Sequence, residues 1–143
     1  MSKVLVVDDE EHIRKDLEKC LGKRNYIVYT ASNIEEAREI IFSESLDYAI
    51  IDLKLDFTSE VGGINIFNFA KRKQLKVKTI VLSGYPFEEV KGQLKKELKE
   101  EHEPEEILKE IEKDYISKGD KNYIRMVLKK LEELNHPING GVL

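Results

Sequence analysis

The stretch Asp47-Tyr48-Ala49-Ile50-Ile51-Asp52 decides how this chain is organised. Tyr48 to Ile51 carry no formal charge, and Ala-Ile-Ile reads as a β-strand buried on both faces. A carboxylate follows at once. In an open parallel sheet, ligands sit beyond the carboxyl ends of the strands, so Asp52 stands where chemistry is done. The apolar run Lys3 to Val7 ends the same way, passing straight into Asp8-Asp9, and two further runs end in Ser83 and Lys118. These five side chains are predicted to converge on one site.

Outward from that strand, apolar runs alternate with amphipathic stretches. Strands are expected at 3–7, 26–30, 47–51, 79–83 and 115–117. A helix opening at Asp9 or Glu10 carries Ile13, Leu17, Cys20 and Leu21 on one face, with Gly22 as its C-cap. Ser32 and Glu35 match a capping box for the next helix, which turns Ala37, Ile40 and Ile41 inward and ends near Ser43. A long loop after Asp52 ends in Gly62-Gly63, and a helix follows over about 64–72. Pro86 suits the first turn of another helix, with Val90, Leu94 and Leu98 along one stripe. Pro104 lacks a backbone N–H and breaks that run, so a restart is predicted with Glu103 as N-cap and Pro104 at N1. Ile107, Leu108 and Ile111 anchor it. Asp120 caps a last helix reaching about Leu134 with Ile124, Val127, Leu128 and Leu131 inward, and residues 135–143 are expected to fray. The alternation means an α/β sandwich around a parallel sheet, with right-handed crossovers.

Bulk properties narrow the function classes. At 143 residues and 41% apolar the chain suits one domain over 1–143, with its core over about 2–134. Charged residues are 36% of the total, yet net charge is only −4, so no basic footprint for nucleic acid exists. No run approaches the roughly 18 apolar residues of a membrane span. The single Cys20 excludes an internal disulfide, fits a reducing cytoplasm, and is expected to pack on its helix.

Asp8, Asp9 and Asp52 at neighbouring strand ends would repel one another and raise their pKa values without a cation. A hard divalent ion such as Mg²⁺ removes that repulsion, taking one or two carboxylates, several waters and phosphate oxygens. Each residue has a plainer reading: Asp8-Asp9 as helix capping, Asp52 and Ser83 as turn residues, Lys118 as a surface lysine. Their joint placement at four strand ends favours a site, where Lys118 would contact a carboxylate or a phosphoryl group.

Val6-Val7-Asp8-Asp9, Ile51-Asp52-Leu53-Lys54-Leu55, Val81-Leu82-Ser83-Gly84 and Tyr115-Ile116-Ser117-Lys118 resemble, in order, the four signatures of response-regulator receiver domains. The resemblance implies a flavodoxin-like, doubly wound, five-stranded parallel sheet of order 2-1-3-4-5 with helices on both faces. It implies that Asp52 accepts a phosphoryl group from a histidine kinase or phosphotransfer protein. Asp8, Asp9, Asp52 and the backbone carbonyl of Lys54 would hold Mg²⁺, or Mn²⁺ in its place. Ser83 and Lys118 would bind phosphoryl oxygens, and Tyr115 with Ser83 would form the switch. Self-phosphorylation and self-dephosphorylation are the only catalysis implied, with no separate substrate turned over.

The chain departs from the family pattern in three stretches. The loop after Asp52 is longer and lacks the usual proline. Gly119 stands where the family has proline, and cis costs a non-proline residue about 2.5–4 kcal/mol, so sequence leaves open whether the Lys118–Gly119 bond is cis or trans and how the lysine is aimed. The Ser83-to-Lys118 interval is longer than usual, which implies an enlarged or split helix-four region at about 86–114. No DNA-binding pattern follows, so the expectation is a stand-alone cytoplasmic receiver, monomeric or weakly dimeric, signalling to an unknown protein partner. A phosphorylation-independent adaptor docking through the enlarged region is the alternative. A flavin or nucleotide binder is disfavoured, because acids rather than a glycine-rich loop follow the first strand.

Overall fold

The computed structural model describes residues 1–53 and 77–135. Lys54, the loop with Gly62-Gly63, the helix expected at 64–72 and residues 136–143 lie outside them. The five strands are β1 (Lys3–Val7), β2 (Ile27–Ala31), β3 (Tyr48–Asp52), β4 (Lys78–Ser83) and β5 (Tyr115–Ser117). They form one parallel sheet in the order β2-β1-β3-β4-β5, as the resemblance implies. The described helices are α1 (Glu11–Lys23), α2 (Ile34–Ser43), α3 (Phe87–Leu98), α4 (Pro104–Lys113) and α5 (Tyr123–Asn135).

Period-two alternation divides the core between the two faces of the sheet. Val4, Val6, Tyr48, Ile50, Ile80, Leu82 and Ile116 pack with Ile13, Leu17 and Leu21 of α1 and Val127 and Leu131 of α5. Leu5, Val7, Ala49, Ile51 and Val81 face the other way, onto α2, α3 and α4. Because β3 is covered on both sides, all five of its residues are buried, Asp52 included. Register then sets the site. Val7 pairs with Ile51, Asp52 with Leu82 and Ser83 with Ser117, so Asp8, Asp52, Ser83 and Lys118 emerge along one edge of the sheet.

Most local expectations hold, with corrections at helix ends. Gly22 lies inside α1; the left-handed residue after the helix is Asn25, with φ of 68°. Asparagine tolerates that region, so the chain needs no glycine there. The N-cap of α2 is Asn33 rather than Ser32. Its side-chain oxygen accepts from Glu36 N at 2.9 Å, while Glu36 reaches back to Ser32 N and Oγ at 2.7 and 2.8 Å. The capping pair is therefore shifted by one residue. Pro86 is the N-cap of α3, one position earlier than its first turn. Glu103 and Pro104 restart the chain as expected, Glu103 taking φ 52° and ψ 58°. Asn135 closes α5 rather than opening the frayed tail. Cys20 is half-buried on α1. The residues that lengthen the β4–β5 crossover are core: Leu94, Leu98 and Ile111 are fully buried and Leu108 nearly so.

Candidate phosphoryl-acceptor site

Few polar side chains are buried among the described residues: Asp8, Asp52, Thr79 and Ser83. Three of them stand at the carboxyl edge of the sheet. Burying a carboxylate is expensive without a partner, and here the partner is Lys118. Its Nζ donates to Asp8 Oδ2 and to Glu10 Oε2, each at 3.0 Å, and lies 3.3 Å from Asp52 Oδ1. The lysine is aimed by its own backbone, since Lys118 N donates to the Ser83 carbonyl at 2.6 Å. No cis peptide bond occurs among the described residues, so Lys118–Gly119 is trans. A Cβ at Gly119 would sit 3.6 Å from the Gly84 carbonyl, an ordinary contact, and 3.3 Å from Ser117 Oγ, which would have to give by a few tenths of an ångström.

The electrostatics follow from crowding acids about one ammonium. Burial raises the Asp8 pKa above the usual carboxylate range, against the opposing pull of the Glu10 N–H and Lys118. For Lys118, burial alone would lower the pKa, but Asp52 and Asp8 outweigh it and hold the ammonium above its ordinary range. Lys118 is charged at any ordinary pH. Asp8 is further fixed by its Oδ1, which accepts from Glu10 N at 2.9 Å, and by its carbonyl, which accepts from Arg14 Nη1 at 2.7 Å.

Ser83 Oγ accepts from Tyr85 N at 3.2 Å, turning the chain out of β4. Tyr115 lies next to it. Its hydroxyl donates to the Tyr85 carbonyl at 2.7 Å, and its ring stacks edge-on against Phe87, centroids 5.3 Å apart. Burial raises the Tyr115 pKa; a Ser83 hydrogen bond opposes this and Asp52 adds to it. Tyr115, Ser83 and Asp52 are thus neighbours. Above them opens a cleft of about 560 Å³, lined by Asp9, Glu10, Asp52, Ser83, Tyr85 and Lys118 among others.

The structure brings together Asp8, Asp9, Asp52, Ser83, Lys118 and Tyr115, while Lys54 lies outside the described residues. It adds Glu10, which sequence reasoning assigned only to the start of a helix. The signal was its place in the run Asp8-Asp9-Glu10-Glu11, but acids in a first helical turn are too common to single one out. Carboxylate oxygens of Asp8, Asp9 and Glu10 lie within 4.8 Å of one another. Such hard oxygen donors fit Mg²⁺.

The profile of the response regulator receiver domain matches residues 4–119. Among curated proteins, the photosynthetic apparatus regulatory protein RegA of Cereibacter sphaeroides is 29% identical over 82 residues, which is 57% of this chain and 43% of RegA. The response regulator protein PilR of Pseudomonas aeruginosa is 30% identical over 83 residues, 58% of this chain and 18% of PilR. The chain therefore spans less than half the length of these relatives. Among solved structures, a CheY-like receiver domain protein from Methanospirillum hungatei superposes with a TM-score of 0.70 at 21% identity, covering 94% of this chain and 93% of that one. TrrA of Thermotoga maritima, solved with Mg²⁺ and BeF, gives 0.54 at 29% identity, covering 67% of this chain and 98% of TrrA.

Proposed function

The chain belongs to the response regulator receiver domain family, and we propose that it accepts a phosphoryl group on Asp52 from a histidine kinase or phosphotransfer protein and signals to a protein partner. One observation carries this reading. A buried ammonium, Lys118, stands 3.3 Å from a buried carboxylate, Asp52, on the floor of an open cleft. The acids around it suit a cation, and once their charge is offset the ammonium is placed to receive an anionic group on Asp52.

The chemistry follows from these positions. An Asp52 oxygen attacks the donor phosphorus in line, the bond from phosphorus to the donor breaks, and its electron pair leaves with the donor. Lys118 neutralises charge on the transferring group. Ser83, at the end of β4, donates its O–H to a phosphoryl oxygen. Asp8, Asp9 and Asp52, with the Lys54 carbonyl, would hold Mg²⁺ (or Mn²⁺), and Glu10 lies in the same carboxylate cluster. When bound, the ion supplies positive charge that offsets repulsion between the carboxylates and the phosphoryl oxygens. TrrA, which crystallised with Mg²⁺ and BeF, supports this choice of ion. Water later hydrolyses the acyl phosphate.

For output, the adjacency of Ser83 and Tyr115 supports a path from the hydroxyl through the phenol to the face near α3 and α4. By the habit of the receiver family we place this activity in the cytoplasm. Among the described residues no helix is long and apolar enough to cross a membrane.

Incubation with acetyl phosphate and Mg²⁺, followed by intact mass measurement, tests the acceptor. The wild type should gain one phosphoryl mass, lost in Asp52→Asn and in EDTA. Unchanged labelling of Asp52→Asn would refute the reading. Hydrogen exchange over residues 86–118, compared with and without fluoroberyllate, tests the output path; unaltered protection there would exclude it.

A further inference from the structure

An ammonium has three N–H groups, and Lys118 faces three carboxylates: Asp8 Oδ2 and Glu10 Oε2 at 3.0 Å and Asp52 Oδ1 at 3.3 Å. A phosphoryl oxygen on Asp52 needs one of those donors. That oxygen is a fourth acceptor for an ammonium with three donors, two of them already given to Asp8 and Glu10, so one carboxylate must loosen, and the three are not equally held. The Asp8 side chain is fully buried and accepts a second hydrogen bond from Glu10 N. Asp52 is itself the acceptor and has 3% side-chain exposure. The Glu10 side chain is half exposed. It can swing into water and recover its hydration there, whereas release of Asp8 would strand a charge in the interior.

We propose that Glu10 is a displaceable latch on Lys118, a positioning residue that occupies the phosphoryl oxygen's place in the resting state and competes with the phosphoryl group for the lysine. The side chain has no part in building the fold. Glu10 is the N-cap of α1, yet its side chain makes no capping hydrogen bond. The structural contacts of this residue run through its backbone, whose N–H holds Asp8 and whose carbonyl accepts from Arg14 N at 3.2 Å. Removing the charge therefore leaves the scaffold intact while freeing one donor of Lys118. The carboxylate also faces the cleft into which the anion comes, so repulsion acts in the same direction as competition.

The inference rests on the phosphoacceptor reading, and the test separates the two. Glu10→Gln keeps the shape of the side chain and removes its charge. Two quantities are measured on the full chain, wild type and variant: the Mg²⁺ dissociation constant from tyrosine fluorescence without any phosphodonor, and the concentration of fluoroberyllate that half-saturates the Mg²⁺-loaded protein. The latch predicts that Glu10→Gln binds fluoroberyllate about threefold to fivefold more tightly, the upper range for a half-exposed ion pair, even where loss of one carboxylate from the cluster weakens Mg²⁺ binding. Glu10→Asp, whose shorter side chain keeps the charge but draws back from Lys118, should fall between the two. Unchanged or weaker fluoroberyllate binding by Glu10→Gln overturns the latch. Loss of Mg²⁺ affinity with weaker fluoroberyllate binding would instead make Glu10 a donor to the ion. A wild type that binds no fluoroberyllate at all would defeat the phosphoacceptor reading itself.

Discussion

Replacing Lys118 by Met removes the ammonium that Asp8, Glu10 and Asp52 share. The hydrophobic volume is roughly kept, so the effect is electrostatic. Glu10 can turn to solvent, but Asp8 and Asp52 have 0% and 3% side-chain exposure and cannot. Breaking a buried pair by deleting one partner costs about 3–5 kcal/mol, because the remaining charge is uncompensated. Unfolding entropy near 2.1 cal/mol/K per residue over 143 residues amounts to about 0.3 kcal/mol/K, so Tm should fall by about 10–17 °C at pH 7. The dependence on pH is the sharper test. In the wild type the folded-state pKa of Lys118 is raised, so its stabilisation is fully present below the unfolded lysine value and lost only as pH rises through the folded one. The wild type therefore has all of it at pH 7. In the variant, Asp8 loses one of the groups that oppose its upward shift. A carboxylate whose folded pKa is raised weakens the fold above that pKa and stops doing so once it is protonated. The Tm gap should accordingly shrink as pH falls from 7 toward about 4, near the carboxylate reference. Thermal unfolding by circular dichroism in EDTA, at pH 7 and pH 4.5, measures both. A gap that stays constant between the two pH values, or one below about 1 kcal/mol at pH 7, would refute the shared-ammonium account.

Three further outcomes follow from particular positions. Glu103→Gly should raise stability by about 1 kcal/mol and Tm by about 3 °C, because Glu103 holds a left-handed φ of 52° that glycine adopts without strain; no rise on calorimetry would count against it. Ile111→Ala should cost about 2–5 kcal/mol in urea unfolding, since the residue is fully buried against the sheet, and a loss under 1 kcal/mol would mean that α4 is only an appendage. Asn33→Ala should cost about 1 kcal/mol through loss of the α2 cap, more than Ser32→Ala does; the reverse order would restore Ser32 as the cap.

Much of the site was legible because chemistry at strand ends is a matter of local pattern. Val-Val before Asp8-Asp9, Ile-Ile before Asp52 and Ile-Ser before Lys118 each read as a buried strand releasing a polar residue, and parallel pairing then had to bring those ends to one edge. Caps were less legible: Ser32 with Glu35 and Asn33 with Glu36 are both sound capping pairs, and one residue of helical phase chooses between them. The nature of the lengthened β4–β5 crossover was not legible either. Leu94, Leu98, Leu108 and Ile111 give the same amphipathic stripe whether it covers a sheet or awaits a partner, and only packing against Val81 and its neighbours made them core. Glu10 shows the same limit within the site. Sequence alone placed an acid beside Asp9; the approach of β5 from more than a hundred residues away put Lys118 within 3.0 Å of it. Periodicity along the chain determines which face each side chain takes, whereas the sharing of one ammonium among three carboxylates is a long-range electrostatic fact that exists only once the strands have paired.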